Sequence, residues 1–227
     1  RGQGLRGLCP SIVSVLMSFF YPKVTIVQVA FLDHYDSFSF NLIDRLFSDA
    51  AIELVYVPFD DRDAVQKLMR NPLPLVVSPG PKRPEVLPDT LSLMRILLGK
   101  APILGICLGH QCLGHVLGGK ITKALSPFHG STQLVHTTGK NDFIHRFSTS
   151  FRVAHYNSLV VERGTVPNDW IWALSESGEI EGISWNEGQW PAIGVQYHPE
   201  SFLSEGQEPL WQLWIELVQD YYDSLPK

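Results

Sequence analysis

From Val24 onward, apolar segments of strand length alternate with segments whose apolar residues recur at helical spacing. No other feature of the chain constrains its fold as much. Strands joined by helical crossovers pair in parallel, and a parallel sheet needs helices on both faces to bury it. Val24 to Leu32 reads as a buried strand, followed by Asp36 or Ser37 as N-cap of a helix carrying Phe38, Leu42, Leu46 and Phe47 on one side. Ile52 to Val57, Leu73 to Val77 and Pro102 to Ile106 read as further strands. Pro88 to Leu98 has helical spacing, and another helix is expected from about His110 to Leu117, stopped by Gly118 and Gly119. Shorter strand-like pieces follow at Trp170 to Ser175, Ile180 to Trp185 and Ala192 to Gln196, with turn residues between them, so the sheet should be mixed. Leu210, Leu213, Trp214, Leu217, Val218 and Tyr221 then outline a terminal amphipathic helix. The expected fold class is α/β, a central, mostly parallel mixed sheet with helices on both faces.

Composition narrows the partners. The 227 residues, 44% hydrophobic and 18% charged, suit one compact domain with a full core. A formal net charge of -5, with Lys and Arg scattered, leaves no footprint for nucleic acid or an anionic membrane. Cys9, Cys107 and Cys112 are too sparse for a disulfide framework and lack the paired spacing of a zinc site, which points to a reducing, cytoplasmic compartment. The apolar run from Ile12 to Tyr21 is cut by Pro22 and Lys23 and is too short to span a bilayer. Arg6 ahead of it gives the outline of a secretory signal, but no small-residue cleavage site follows. Residues 1–23 are therefore read as an extension outside the fold and 24–227 as the domain.

Three segments carry chemistry. Leu104-Gly105-Ile106-Cys107-Leu108-Gly109 sets a cysteine between glycines, after an apolar strand and before a helix, the strand-turn-helix arrangement of a nucleophile elbow. The positive end of that helix favours a thiolate, and the Leu108 amide is placed to donate to an oxyanion. Taken alone, the segment fits a small buried hydrophobe equally well. In Gly194-Val195-Gln196-Tyr197-His198-Pro199-Glu200-Ser201, residues two apart on extended backbone project to the same side, so Glu200 can orient one ring nitrogen of His198 while the other faces a nucleophile. Finally, Ser78-Pro79-Gly80-Pro81 closes the strand Leu73 to Val77, where it is either turn punctuation or, at the carboxyl end of an α/β strand, part of a ligand site.

In order and spacing these segments, with Asp33-His34-Tyr35-Asp36-Ser37-Phe38, His129-Gly130 and Tyr156-Asn157-Ser158-Leu159, resemble the class I glutamine amidotransferases over nearly all of Val24 to Tyr222. The Asp-x-Tyr-Asp-Ser-Phe opening is similar to the glutaminase subunits of anthranilate synthase and aminodeoxychorismate synthase. The resemblance implies a flavodoxin-like fold, Cys107 as nucleophile, His198 as acid and base, and Glu200 as its orienter. It further implies that L-glutamine is held by the loop of Gly80, Pro81 and Lys82, by Leu108 and Gln111, and by the backbone of Ser158 and Leu159. No metal or organic cofactor is implied, and the expected partner is a chorismate-binding synthase component that receives the ammonia.

Three positions depart from the family's pattern. Lys82 stands where glycine usually follows Ser-Pro-Gly-Pro, Ser131 where lysine usually follows His-Gly, and Asn157 where histidine is frequent. If position 82 required a positive φ, lysine there would cost about 1 kcal/mol and tilt the oxyanion loop. The Lys82 ammonium is a candidate substitute for the one absent at Ser131. Asn157 reads as a tolerated variant. The competing readings are an aminodeoxychorismate rather than an anthranilate product, a catalytically weakened regulatory or binding component, and an unrelated cysteine hydrolase of the same fold.

Overall fold

A computed structural model describes residues 27–47, 52–125, 130–138 and 143–226. The expected extension at 1–23 and His129 lie outside the described residues. The first half alternates as expected: β1 (Val27–Asp33), α1 (Ser39–Phe47), β2 (Ile52–Pro58), α2 (Arg62–Arg70), β3 (Leu75–Val77), α3 (Pro88–Leu97), β4 (Ile103–Ile106) and α4 (Leu108–Val116). The second half adds β5 (Ile121–Lys123), β6 (Ser131–Thr137), β7 (Ser150–His155), β8 (Leu159–Val161), β9 (Ile171–Ser175), β10 (Ile180–Trp185) and β11 (Ala192–Val195), and closes on α5 (Glu208–Ser224).

The main sheet runs in the order β2-β1-β3-β4-β11-β10-β9-β6-β7. Its first five strands are mutually parallel, the flavodoxin-like order, with β11 as the fifth. Beyond β11 every pairing is antiparallel, so the sheet is mixed. The pair β5 and β8 forms a separate small sheet. Helix α4 begins at Leu108, two residues before the expected start. The sequence reading passed over α2, although Asp61 caps it by accepting from the amide of Ala64 at 3.0 Å and Val65 and Leu68 bury its inner face.

Successive strand residues enter opposite cores, as period-two geometry requires. Val29 and Phe31 of β1, Val76 of β3, Leu104 and Ile106 of β4, and Ile193 and Val195 of β11 pack with Leu42 and Leu46 of α1 and with the apolar face of α5. Their neighbours Ala30, Leu32, Leu75, Val77, Ile103 and Ala192 face the other way, onto Val65 and Leu68 of α2, Leu91, Met94 and Leu97 of α3, and Cys112 and Leu113 of α4. With both faces covered, the carboxyl edge of the parallel strands is where chain emerges. The loops after β1, β3, β4 and β11 all leave the sheet there.

Candidate active site

Cys107 follows β4 directly and takes φ 52 and ψ -100, a conformation that side chains rarely adopt. Among the described residues Tyr35 is the other non-glycine at positive φ. Both flanking glycines are sterically required. A Cβ on Gly109 would lie 2.3 Å from the carbonyl oxygen of Val77, and one on Gly105 would lie 2.5 Å from the carbonyl of Gly109. The helix can therefore start hard against β3 and β4 only if both positions lack a side chain, which is what forces the elbow. In the first turn of α4 the amides of Leu108 and its neighbours have no partner within the helix, so the Leu108 N–H is free to meet a ligand.

His198 follows β11, the parallel neighbour of β4, with Val195 in register with Ile106. Its Nδ1 lies 2.7 Å from Oε1 of Glu200, with both side chains buried. This contact turns the other ring nitrogen to Cys107. Burial pulls the His198 pKa down most strongly among single influences. Hydrogen bonding to Cys107 and Glu200, with the charges on both, outweighs it and pushes the value up to about 10. The rings of Phe38 and Tyr156 pack edge-on against the imidazole, with centroids at 5.3 and 4.9 Å.

Cys107 opens on a cavity of about 380 Å³. Gly80, Pro81, Lys82, Gln111, Ser158 and Leu159, each expected from the sequence, line it together. Leu108 does not line it and buries its side chain in the core. Gly80 owes its identity to close packing, since a Cβ there would be 2.6 Å from Cβ of His34 and 2.8 Å from Cδ2 of Leu108.

Gln111, Ser158 and Leu159 are held by hydrogen bonds within the protein. Gln111 Nε2 donates to the carbonyl of Leu159 at 2.9 Å and to Oε1 of Gln196 at 3.2 Å. Its amide nitrogen is thus occupied in holding the cavity wall. The Ser158 carbonyl already accepts from the amide of Ala124 at 2.9 Å. Asn157 ties Leu159 back to the sheet, donating to the Leu159 carbonyl at 3.1 Å while its Oδ1 lies 3.1 Å from Nδ1 of His155. His155 in turn has Nε2 3.5 Å from Oε2 of Glu181. Burial pushes the His155 pKa down to about 4 and drives that of Glu181 up.

The condition set for Lys82 is not met, because its φ is not positive. Its ammonium rests 4.4 Å from the centroid of Phe59, a cation–π contact. Ser131 lies at the start of β6 and does not line the cavity, so no shared site joins it to Lys82.

Sequence reasoning missed three residues of the site. Arg83 and Tyr156 line the cavity, and Gln196, fully buried, points Nε2 at Sγ of Cys107 over 3.7 Å. The signal for Gln196 was present: the sequence extended the strand to Gln196, two residues before His198, where extended backbone would put both on one side.

The family model for class-I glutamine amidotransferases matches residues 30–217. The chain is 38% identical over 187 residues to the bifunctional protein TrpGD of Thermotoga maritima, covering 80% of this chain and 31% of that one. It is 37% identical over 179 residues to aminodeoxychorismate synthase component 2 of Escherichia coli, covering 78% and 94%. It is 34% identical over 192 residues to aminodeoxychorismate/anthranilate synthase component 2 of Bacillus subtilis, covering 83% and 96%. Among solved structures, a glutamine amidotransferase from Thermotoga maritima superimposes with a TM-score of 0.65 at 22% identity, covering 87% of this chain and 84% of that one, a likeness of fold. A strained cysteine at the head of α4, a His-Glu pair just beyond the neighbouring strand and a family match across nearly the whole described chain agree, and the chain belongs to the class-I glutamine amidotransferases.

Proposed function

We propose that the chain hydrolyses L-glutamine through Cys107 and passes the ammonia to a chorismate-binding synthase component, itself serving as anthranilate synthase component 2. The observation that carries this reading is the convergence of Cys107, His198 and Glu200 at the carboxyl ends of two adjacent parallel strands, beside a cavity sized for one amino acid. Cys107 has already passed its proton to His198, whose raised pKa favours the imidazolium, and the sulfur attacks the side-chain amide carbon of glutamine as the thiolate. Negative charge then gathers on the former carbonyl oxygen, within reach of the Leu108 and Gly80 amides. The C–N bond breaks as His198 returns the proton to the leaving nitrogen, giving ammonia and a γ-glutamyl thioester. His198 next takes a proton from water, whose oxygen attacks the thioester; the C–S bond breaks, the thiolate is restored and glutamate leaves. Glu200 holds the imidazole in one tautomer throughout.

Ammonia released into neutral water becomes ammonium and loses its nucleophilicity, so a docked acceptor is part of this reading. Similarity to component 2 of aminodeoxychorismate and anthranilate synthases supports a chorismate-using acceptor. An aminodeoxychorismate product is the second reading, supported by the same relatives. The span from 24 to 227 acts as one amidotransferase domain. A reducing cytoplasmic setting belongs to the proposal because Cys107 must remain a thiol; among the described residues no helix is long and apolar enough to cross a membrane.

The test is to incubate the chain with glutamine, with and without a chorismate-binding synthase component, and to measure glutamate. No glutamate in either condition, with Cys107 unreactive to a glutamine-analogue alkylator, overturns the enzyme reading. Adding chorismate and recording anthranilate fluorescence then separates the two products.

A further inference from the structure

The peptide between Pro79 and Gly80 decides whether the Gly80 N–H can serve an oxyanion, and a buried hydroxyl holds that peptide in one orientation. Ser78, with no exposed surface, follows β3. Its Oγ donates to the carbonyl of Pro79 at 2.7 Å and accepts from the backbone N–H of His34 at 2.8 Å. Nδ1 of His34 lies 3.4 Å from the same oxygen, and Nε2 lies 3.0 Å from Oγ1 of Thr90 on α3. A hydroxyl has one proton and two lone pairs. Here the proton goes to Pro79 and the lone pairs face His34, so the rotor is fixed.

In a planar trans peptide the carbonyl and the following N–H point in opposite directions. A Pro79 carbonyl drawn inward to buried Ser78 turns the Gly80 N–H outward, to the cavity that Gly80 lines with Cys107. The reversed peptide would instead present a carbonyl oxygen to the oxyanion, repelling the charge that the site must stabilise.

We propose that Ser78 is a positioning residue for the reaction, its hydroxyl acting as the clamp that keeps the Gly80 N–H aimed at the oxyanion. This rests on the glutaminase reading. His34 serves as the anchor of the clamp, since burial holds its pKa down near 4 and it stays neutral where the enzyme works.

The experiment compares the wild-type chain with Ser78→Ala and the near-isosteric Ser78→Cys, whose thiol is a weak donor. Two rates are read: glutamate release from glutamine, and alkylation of Cys107 by iodoacetamide, followed on its own peptide by mass spectrometry. Alkylation is a displacement at a saturated carbon and needs no oxyanion donor. Removing one such donor costs about 10²-fold, so loss of its clamp in Ser78→Ala is expected to lower kcat by roughly 10- to 100-fold, with KM and the alkylation rate within about twofold of wild type. Ser78→Cys is expected to fall between the two. Wild-type kcat in Ser78→Ala overturns the proposal, as does an equal fall in both rates, which marks a disturbed Cys107. If Ser78→Ala does not fold, Ser78→Cys decides: full kcat overturns the clamp, and reduced kcat with normal alkylation supports it. A wild-type chain that alkylates yet releases no glutamate, with and without a chorismate-binding synthase component, removes the glutaminase reading itself, and the role of Ser78 with it.

Discussion

Gln196 joins the nucleophile to the cavity wall: its Nε2 points at Sγ of Cys107 over 3.7 Å while its Oε1 accepts from Nε2 of Gln111 at 3.2 Å. Gln111 continues the chain to the carbonyl of Leu159. Replacing Gln196 by Leu removes both links and leaves a buried Gln111 proton without its acceptor. Gln196→Leu should lose about 1–3 kcal/mol of stability in urea titration, the usual cost of a buried unpaired polar group. Glutamate release should fall with it; unchanged values of both would show that the link is idle.

Glu200 should matter through charge. A glutamine of the same size cannot stabilise the imidazolium, so Glu200→Gln is expected to lower kcat by about 10² or more, the scale of acid and base catalysis. His198 stands near 10 in the folded chain against an ordinary 6.5, so its charging contributes stability that is fully present below about pH 6.5 and is lost as pH rises through 10. Unfolding followed from pH 7 to pH 10 should show that loss in the wild type and a smaller one in Glu200→Gln.

The opposite slope is expected in acid. Burial, the largest influence in each case, holds His34, His110 and His155 down near 4. Each then contributes stability that is present above about pH 6.5 and lost as pH falls through 4, because the unfolded chain takes up the proton first. Urea midpoints measured at pH 7 and pH 4.5 should fall steeply, and His110→Leu should shallow the slope. An unaltered slope in that variant would assign the acid loss elsewhere.

Cys107 stores strain that its chemistry requires. Alanine at 107 keeps the unfavourable φ and ψ, whereas glycine adopts them freely. Cys107→Gly should therefore be more stable than Cys107→Ala by about 1 kcal/mol, although glycine loses more entropy on folding. Both should be inactive. Thermal unfolding of the two settles the sign.

At Gly109 the constraint is steric and severe. Because a Cβ there would sit 2.3 Å from a backbone oxygen, Gly109→Ala should cost more than about 3 kcal/mol or prevent folding. A Gly109→Ala chain with wild-type thermal stability would mean that α4 can slide on β3.

Much of this site could be read from residues, for identifiable reasons. Strand and helix patterns placed β1 to β4, α1, α3 and α5 within a few residues, because the strands are short, mostly apolar runs and each helix buries one apolar face. The order β2-β1-β3-β4-β11 was not legible in those periods, since pairing between strands far apart in sequence leaves no local trace. The Cys107, His198 and Glu200 set was visible through spacing and resemblance. Gln196 escaped because a buried amide looks like any strand residue until its partners are in place. Lys82 was to strain its loop only if position 82 took a positive φ, which the sequence does not show; its φ is not positive and its ammonium rests over Phe59.

The adjacency of β4 and β11 has a consequence for how the protein is made. Synthesis proceeds from the amino end, so Cys107 leaves the ribosome well before His198 and Glu200 exist. During that interval its thiol has neither base nor orienter, and nascent chains cannot consume glutamine. Hydrolysis switches on only when β11 slots in beside β4 and the final helix can cover it. Catalytic competence is thus a report that synthesis has passed β11, and fragments ending before β11 should carry a cysteine with no more reactivity than an ordinary thiol.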